Sequence, residues 1–221
     1  MIQHHPDDAL LLGHAAGRLE SGRALVVASH LELCAQCRER MRLFEAMGGA
    51  MLEDVAPAAL PSQALAQTWA AIDAMAGSES PVSEPARPVG TRPDLPAGMA
   101  WPRALADCRA SRWRWIAPGM RWSRVKLPYD PAANVFLLRI GAGKCLPVHT
   151  HSDNELTQVL HGSFHDGRVR LGPGDFDETD PSILHEPRVD AQGECICLAT
   201  VRGKVLFQGA VARWMGALVG L

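Results

Sequence analysis

The chain has 221 residues, 47% of them hydrophobic, and a formal net charge of −2. That is length enough for two modest domains with cores of their own, while a charge near zero with no basic tail gives no general attraction to nucleic acid. There is no apolar run of about eighteen residues, and MIQHHPDDALLL at the N-terminus lacks the basic, apolar and small-residue order of a secretory signal, so a cytoplasmic protein with no membrane association is expected.

Residues 1–78 read as a helical domain. Pro6 with Asp7 and Asp8 marks a first helix start, proline in the opening turn and acids at the positive end of the dipole. A second helix is expected over 24–33, after a Ser21-Gly22 break. A third, from near Cys34, carries Met41, Leu43, Phe44, Met47 and Met51 at helical spacing, and Gly48-Gly49 is expected to interrupt or end it. A fourth over 61–76 aligns Leu65, Trp69, Ile72 and Met75 on one stripe. Five arginines stand against nine acids in this stretch. Such a balance suits a basic protein partner better than a phosphate backbone, although solvated helix surfaces carry the same charges.

Residues 79–102 are rich in proline (Pro81, Pro85, Pro88, Pro93, Pro96, Pro102) interleaved with polar residues and glycine, the texture of an extended linker. It is expected to hold two domains apart and let them move. From 103 to 221 the period becomes that of strands. Runs at 113–117, 121–127, 134–140, 156–162 and 195–201, separated by Gly, Pro and Asp turns, predict an antiparallel sandwich or barrel. The fold class expected is therefore α+β as separate domains, a four-helix module followed by an antiparallel β-barrel.

Two clusters carry metal chemistry. His30-Leu31-Glu32-Leu33-Cys34-Ala35-Gln36-Cys37 sets a histidine and two cysteines on one helical face or helix-entry turn. Zinc takes four such ligands in a tetrahedron, so a fourth must come from elsewhere, and spacing leaves His4 and His5 open. A structural zinc would relieve a module too small to hold together comfortably by burial alone. Further on, Gly143, His149-Thr150-His151, Glu155 and Gly162 follow one another at set intervals, and residues two apart on a strand point to the same face. His185, on a later strand, stands where it completes the set. Zinc, iron, manganese, nickel and copper all suit imidazoles with one carboxylate.

The second pattern resembles the cupin superfamily. Its first motif is matched at every defining position; the second is partial, Pro173-Gly174-Asp175 standing for its turn without the usual glycine before His185 or asparagine after it. Together, HHPDDALL, HLELCAQC, VHTHSDNELTQVLHGSF and ECICLAT resemble the ChrR family of zinc-binding anti-sigma factors over almost the whole chain. The resemblance implies zinc at His5, His30, Cys34 and Cys37, and a metal at His149, His151, Glu155 and His185. It also implies that residues 1–78 sequester an extracytoplasmic-function sigma factor and that the cupin domain releases it on oxidative stress such as singlet oxygen.

Cys195-x-Cys197, two thiols on one strand face, is a plausible oxidant target and equally a pair of core residues. Arg38, Met41 and Arg42, on the helix after the His/Cys motif, are the expected sigma contacts. The implied protein is not an enzyme and does not bind DNA. The rival is a metal-dependent cupin enzyme, a dioxygenase or isomerase, with a regulatory helical zinc domain; no substrate-gripping arginine or second acid-base pair can be placed beside its metal from spacing.

Overall fold

A computed structural model of the chain describes residues 1–76 and 91–207. Residues 77–90, with the first half of the predicted linker, and 208–221 of the predicted barrel domain lie outside the described residues. Four α-helices come first: α1 (Asp8–Ala15), α2 (Ser21–Leu33), α3 (Ala35–Glu53) and α4 (Ala64–Ala76). Twelve strands follow among the described residues: β1 (Arg109–Ala110), β2 (Arg114–Ala117), β3 (Met120–Lys126), β4 (Val135–Ile140), β5 (His149–His151), β6 (Glu155–His161), β7 (Phe164–His165), β8 (Arg170–Leu171), β9 (Phe176–Thr179), β10 (Arg188–Val189), β11 (Cys195–Val201) and β12 (Val205–Phe207). The expected class, helices followed by an antiparallel cupin-like sheet domain, is what is found.

Several helix boundaries differ from expectation for local reasons. Asp7 caps α1, its carboxylate accepting from the Leu10 amide at 2.7 Å, so Pro6 precedes the cap instead of opening the helix. Ser21 and Gly22 form the first turn of α2 and not a break. α3 runs through Gly48-Gly49; each glycine costs about 1 kcal/mol in a helix, and the strong helix formers Met47, Ala50, Met51, Leu52 and Glu53 carry it on.

A seven-stranded antiparallel sheet runs β1-β3-β4-β11-β6-β9, with β2 also on β3, and faces a three-stranded sheet β10-β7-β8 and the pair β12-β5. Strand periodicity sorts its side chains. Val135 and Leu137 of β4 and Leu198 of β11 point to the helices, while Ile140, Cys195 and Cys197 point to the barrel interior. Covered on both faces, all of β11 is buried, which is why CICLATV reads as an unbroken apolar run.

The linker does not hold the helices away from the barrel. Leu10, Leu11, Leu25, Val26 and Val27 share one core with Val125, Leu156, Phe176 and Leu198. α2 approaches so closely that a Cβ on Gly22 would stand 2.5 Å from Thr200 Oγ1 and 3.0 Å from Val135 Cγ2, so only glycine fits there. Ion pairs Arg23–Glu178 (3.3 Å) and Arg202–Glu20 (3.4 Å) flank the contact. The described end of the linker is itself docked, the Ala110 amide donating to Thr91 and the Trp113 indole to the Asp94 carbonyl.

α4 is the exception. Its stripe of Leu65, Trp69, Ile72 and Met75 is exposed, as are Leu43, Met47 and Met51 of α3, so the stripes that helical spacing aligned lie on the surface. Met41 is the converse correction. It is buried among the helices with Cys37 and Leu11 and offers no free surface to a partner.

Candidate metal centres

The helical set forms where three segments meet. Cys34 breaks the backbone between α2 and α3 with an extended conformation and caps α3, its sulfur accepting from the Cys37 amide at 3.4 Å. His30 closes the last turn of α2, and the chain before α1 brings in His5. One donor atom from each of His5, His30, Cys34 and Cys37 lies within 4.8 Å of all the others. His30 Nε2 is 3.3 Å from Cys37 Sγ, and His5 Nδ1 is 3.3 Å from Cys34 Sγ and 3.4 Å from Cys37 Sγ. A zinc tetrahedron with usual bond lengths has N···S edges of about 3.5 Å, so the set fits the ion with little adjustment. Of the two neighbouring histidines it is His5 that reaches the sulfurs.

His30 is fully buried, and its Nδ1–H donates to the Gly174 carbonyl at 2.9 Å, leaving Nε2 as a bare lone pair facing the sulfurs. Burial pulls its pKa down to about 4. Burial, with the hydrogen bond that the Cys37 thiol donates to Cys34, pushes the Cys37 thiol up to about 12. A neutral imidazole and costly thiolates are what a soft dication relieves, since it stabilises the deprotonated sulfurs directly.

In the barrel, β5 presents His149 and His151 on one face, Glu155 opens β6, and His185 bridges back to His149 by paired backbone hydrogen bonds of 3.1 Å. Their donor atoms also lie within 4.8 Å of one another. His149 Nδ1–H donates to the Pro147 carbonyl at 2.8 Å, which turns its Nε2 to within 3.0 Å of His185 Nε2. His151 Nε2 stands 2.8 Å from Glu155 Oε2. Burial, then the His149 neighbour, takes His185 down to about 4, and burial also lowers His149. Burial opposes a charge on Glu155, yet the His151 contact and the surrounding imidazoles hold its carboxyl below the ordinary range. Three imidazoles converging on one carboxylate suit a divalent transition metal.

Beside this set lies a cavity of about 50 Å³ whose lining includes Leu138, Phe164, Asp177, Cys195 and Cys197. The two cysteine sulfurs are 3.7 Å apart on the expected common face. Their mutual hydrogen bond and burial push the Cys197 thiol well up, so it is a protonated thiol and not a poised thiolate. Asp177 escaped notice in the sequence because nothing in its spacing ties it to the motif. Burial raises its pKa, and Arg168 pairs with it at 3.0 Å and also with Asp166. The expected contact residues fare unevenly. Arg38 donates to the Leu31 and Glu32 carbonyls at the end of α2, and Arg42 pairs with Glu39 on the surface.

Three imidazoles and a carboxylate inside an antiparallel barrel, behind a helical His/Cys module, define a cupin-type protein with an added helical domain. Residues 102–204 match the ChrR Cupin-like domain. The anti-sigma-E factor ChrR of Cereibacter sphaeroides is 38% identical over 206 residues, covering 93% of this chain and 92% of that protein. A chain in the crystal structure of Rhodobacter sphaeroides SigE in complex with the anti-sigma ChrR superposes with a TM-score of 0.71 at 34% identity, over 91% of this chain and 100% of that one. The chain belongs to the ChrR family of anti-sigma factors.

Proposed function

We propose that this chain is a zinc-containing anti-sigma factor. Helices α1–α4 hold an extracytoplasmic-function sigma factor away from core RNA polymerase, and the cupin domain brings about its release under oxidative stress such as singlet oxygen. The observation that carries this reading is an apolar stripe exposed among the described residues: Leu65, Trp69, Ile72 and Met75 of α4 are 47–75% exposed, and α3 adds Leu43, Met47 and Met51. Apolar surface of that extent on short helices marks a binding face. The relative in the solved complex is an anti-sigma bound to SigE, and a partner of the same kind fits here. Arg38, bonded to the end of α2, and Arg42, paired with Glu39, remain proposed sigma contacts on a different side of α3 from this stripe, whereas Met41 is buried.

In this reading zinc at His5, His30, Cys34 and Cys37 serves folding, all four positions being filled by protein. The barrel set holds zinc or another divalent transition metal. Its cavity of about 50 Å³ is far below the roughly 300–1,000 Å³ of organic-ligand pockets, which favours a small oxidant over a substrate and a sensor over an enzyme. Cys195 and Cys197 line that space, and as buried thiols with Cys197 protonated they are slow oxidant targets unless their proton is removed. Among the described residues no helix is long and apolar enough to cross a membrane, in keeping with a cytoplasmic regulator.

The test is co-expression of the full chain with an extracytoplasmic-function sigma factor from the same genome. Co-purification as a complex that blocks sigma-dependent transcription in vitro is expected. A chain that retains no such sigma factor, while the isolated barrel metal turns over an organic substrate with oxygen, would give the case to the enzyme reading.

A further inference from the structure

The His/Cys set is not built by the helices alone. His5 comes from an extended segment before α1 that has no helix to hold it, and that segment is docked on the barrel. The backbone amides of Gln3 and His4 both donate to Asp175 Oδ1, at 2.6 and 3.0 Å, while the Phe176 amide returns a bond to the His4 carbonyl at 3.1 Å. His4 is thereby pinned at both its amide and its carbonyl, one residue before the ligating imidazole.

The other carboxylate oxygen of Asp175 accepts from the Gly172 amide at 2.8 Å and so stiffens the turn. Gly174, at the same turn, receives the His30 Nδ1–H on its carbonyl. It has a φ of +89°, and a Cβ there would lie 2.7 Å from Ile2 Cδ1. The turn in its place is bonded to β6, Gly174 N–H to the Val159 carbonyl at 2.8 Å and Val159 N–H to the Asp175 carbonyl at 3.0 Å. β6 is the strand that opens with Glu155.

We propose that the 172–175 turn of the cupin domain is the outer shell of the helical zinc site, with Asp175 as the positioning residue for His5 and the Gly174 carbonyl as that for His30. This rests on the reading that the His/Cys set binds zinc. A ligating imidazole needs its second nitrogen and its ring orientation fixed by groups beyond the ligands themselves, and a ligand on an unanchored extended segment would lose conformational entropy each time it bound. The barrel supplies both restraints. Zinc affinity in the helical domain is therefore a property of the whole chain, and the sensor domain holds two of the four ligands in place.

The experiment uses the full chain with no sigma factor present. Cobalt replaces zinc, and chelator competition is followed through the thiolate-to-cobalt charge-transfer band, which reports the helical set because the barrel set offers no sulfur ligand. Asp175→Ala is expected to weaken the metal by about 10–100-fold and to shift the cobalt spectrum as His5 is lost, with Asp175→Asn, which keeps one acceptor oxygen, in between. Gln3→Pro deletes one donor without touching the barrel, and a smaller loss is expected. Wild-type affinity and an unchanged spectrum in Gln3→Pro and in a folded Asp175→Ala would overturn the proposal; if Asp175→Ala does not fold, the Gln3→Pro result alone decides. A wild-type chain that binds no cobalt or zinc at the thiolates would instead sink the zinc reading itself.

Discussion

Trp69→Ala separates a binding face from a misjudged core. Trp69 is 58% exposed; of roughly 250 Å² on a tryptophan side chain, about 145 Å² is open to a partner. At about 25 cal/mol per Å², covering it is worth roughly 3.5 kcal/mol. The remaining Cβ and the ordering cost bring the expected loss to about 2–3 kcal/mol, or roughly 30- to 150-fold in affinity for the sigma factor. The free chain should change in stability by no more than about 0.5 kcal/mol, because the side chain touches so little of it. Titration of the sigma factor against immobilised wild-type and variant chains, with urea melts of each, reads both quantities. Wild-type affinity in the variant would refute the assignment of α4 as the binding face, and a large drop in stability would mean that Trp69 is core after all.

Other consequences follow from the same geometry. In the metal-free chain, His30 and His185 ionise near 4 when folded against 6.5 when unfolded. The unfolded state then takes up protons first, so stability is complete above about pH 6.5 and declines toward pH 4 by up to about 3 kcal/mol per histidine; a urea midpoint that stays level or rises on acidification would contradict this. Zinc binding at the helical set should release protons at neutral pH, since the Cys37 thiol ionises only near 12 without the metal. Calorimetry in buffers of different ionisation heat measures that release, and Cys37→Ala should abolish it and lose one metal equivalent. His185→Ala should empty the barrel set yet leave sigma binding within about threefold, because the exposed stripe lies on other elements; the variant complex should then fail to dissociate under an oxidant that opens the wild type.

Most of each candidate ligand set left a trace in the sequence, while the choice of His5 over His4 came from the family resemblance and not from spacing. His30, Cys34 and Cys37 keep helical intervals, and His149 and His151 keep the strand interval of two. His185 was placed by the cupin resemblance despite its incomplete motif; the structure holds it beside His149 by a backbone bridge, which leaves no interval in the sequence. The run at 195–201 was legible as a strand, but its burial on both faces depends on α2 lying across it, which no local pattern encodes. The α4 stripe was legible as a stripe but its exposure was not, for a related reason: Leu65, Trp69, Ile72 and Met75 have the spacing of an apolar face, and that spacing is the same whether the cover is this chain or another. Asp175 was noticed only as part of a partial cupin turn. Its bonds to Gln3 and His4 join positions more than 170 residues apart, and a one-residue contact of that kind leaves no period to read.

The most direct test of the account is a reconstituted release assay: sigma factor, full chain and core RNA polymerase, with the polymerase-bound sigma measured before and after a singlet-oxygen generator is illuminated. The account predicts that the sigma factor is withheld from polymerase in the dark, that illumination transfers it, and that the His185→Ala chain withholds it under both conditions. Free passage of the sigma factor to polymerase in the dark, with the folded chain in excess, would contradict the account at its centre.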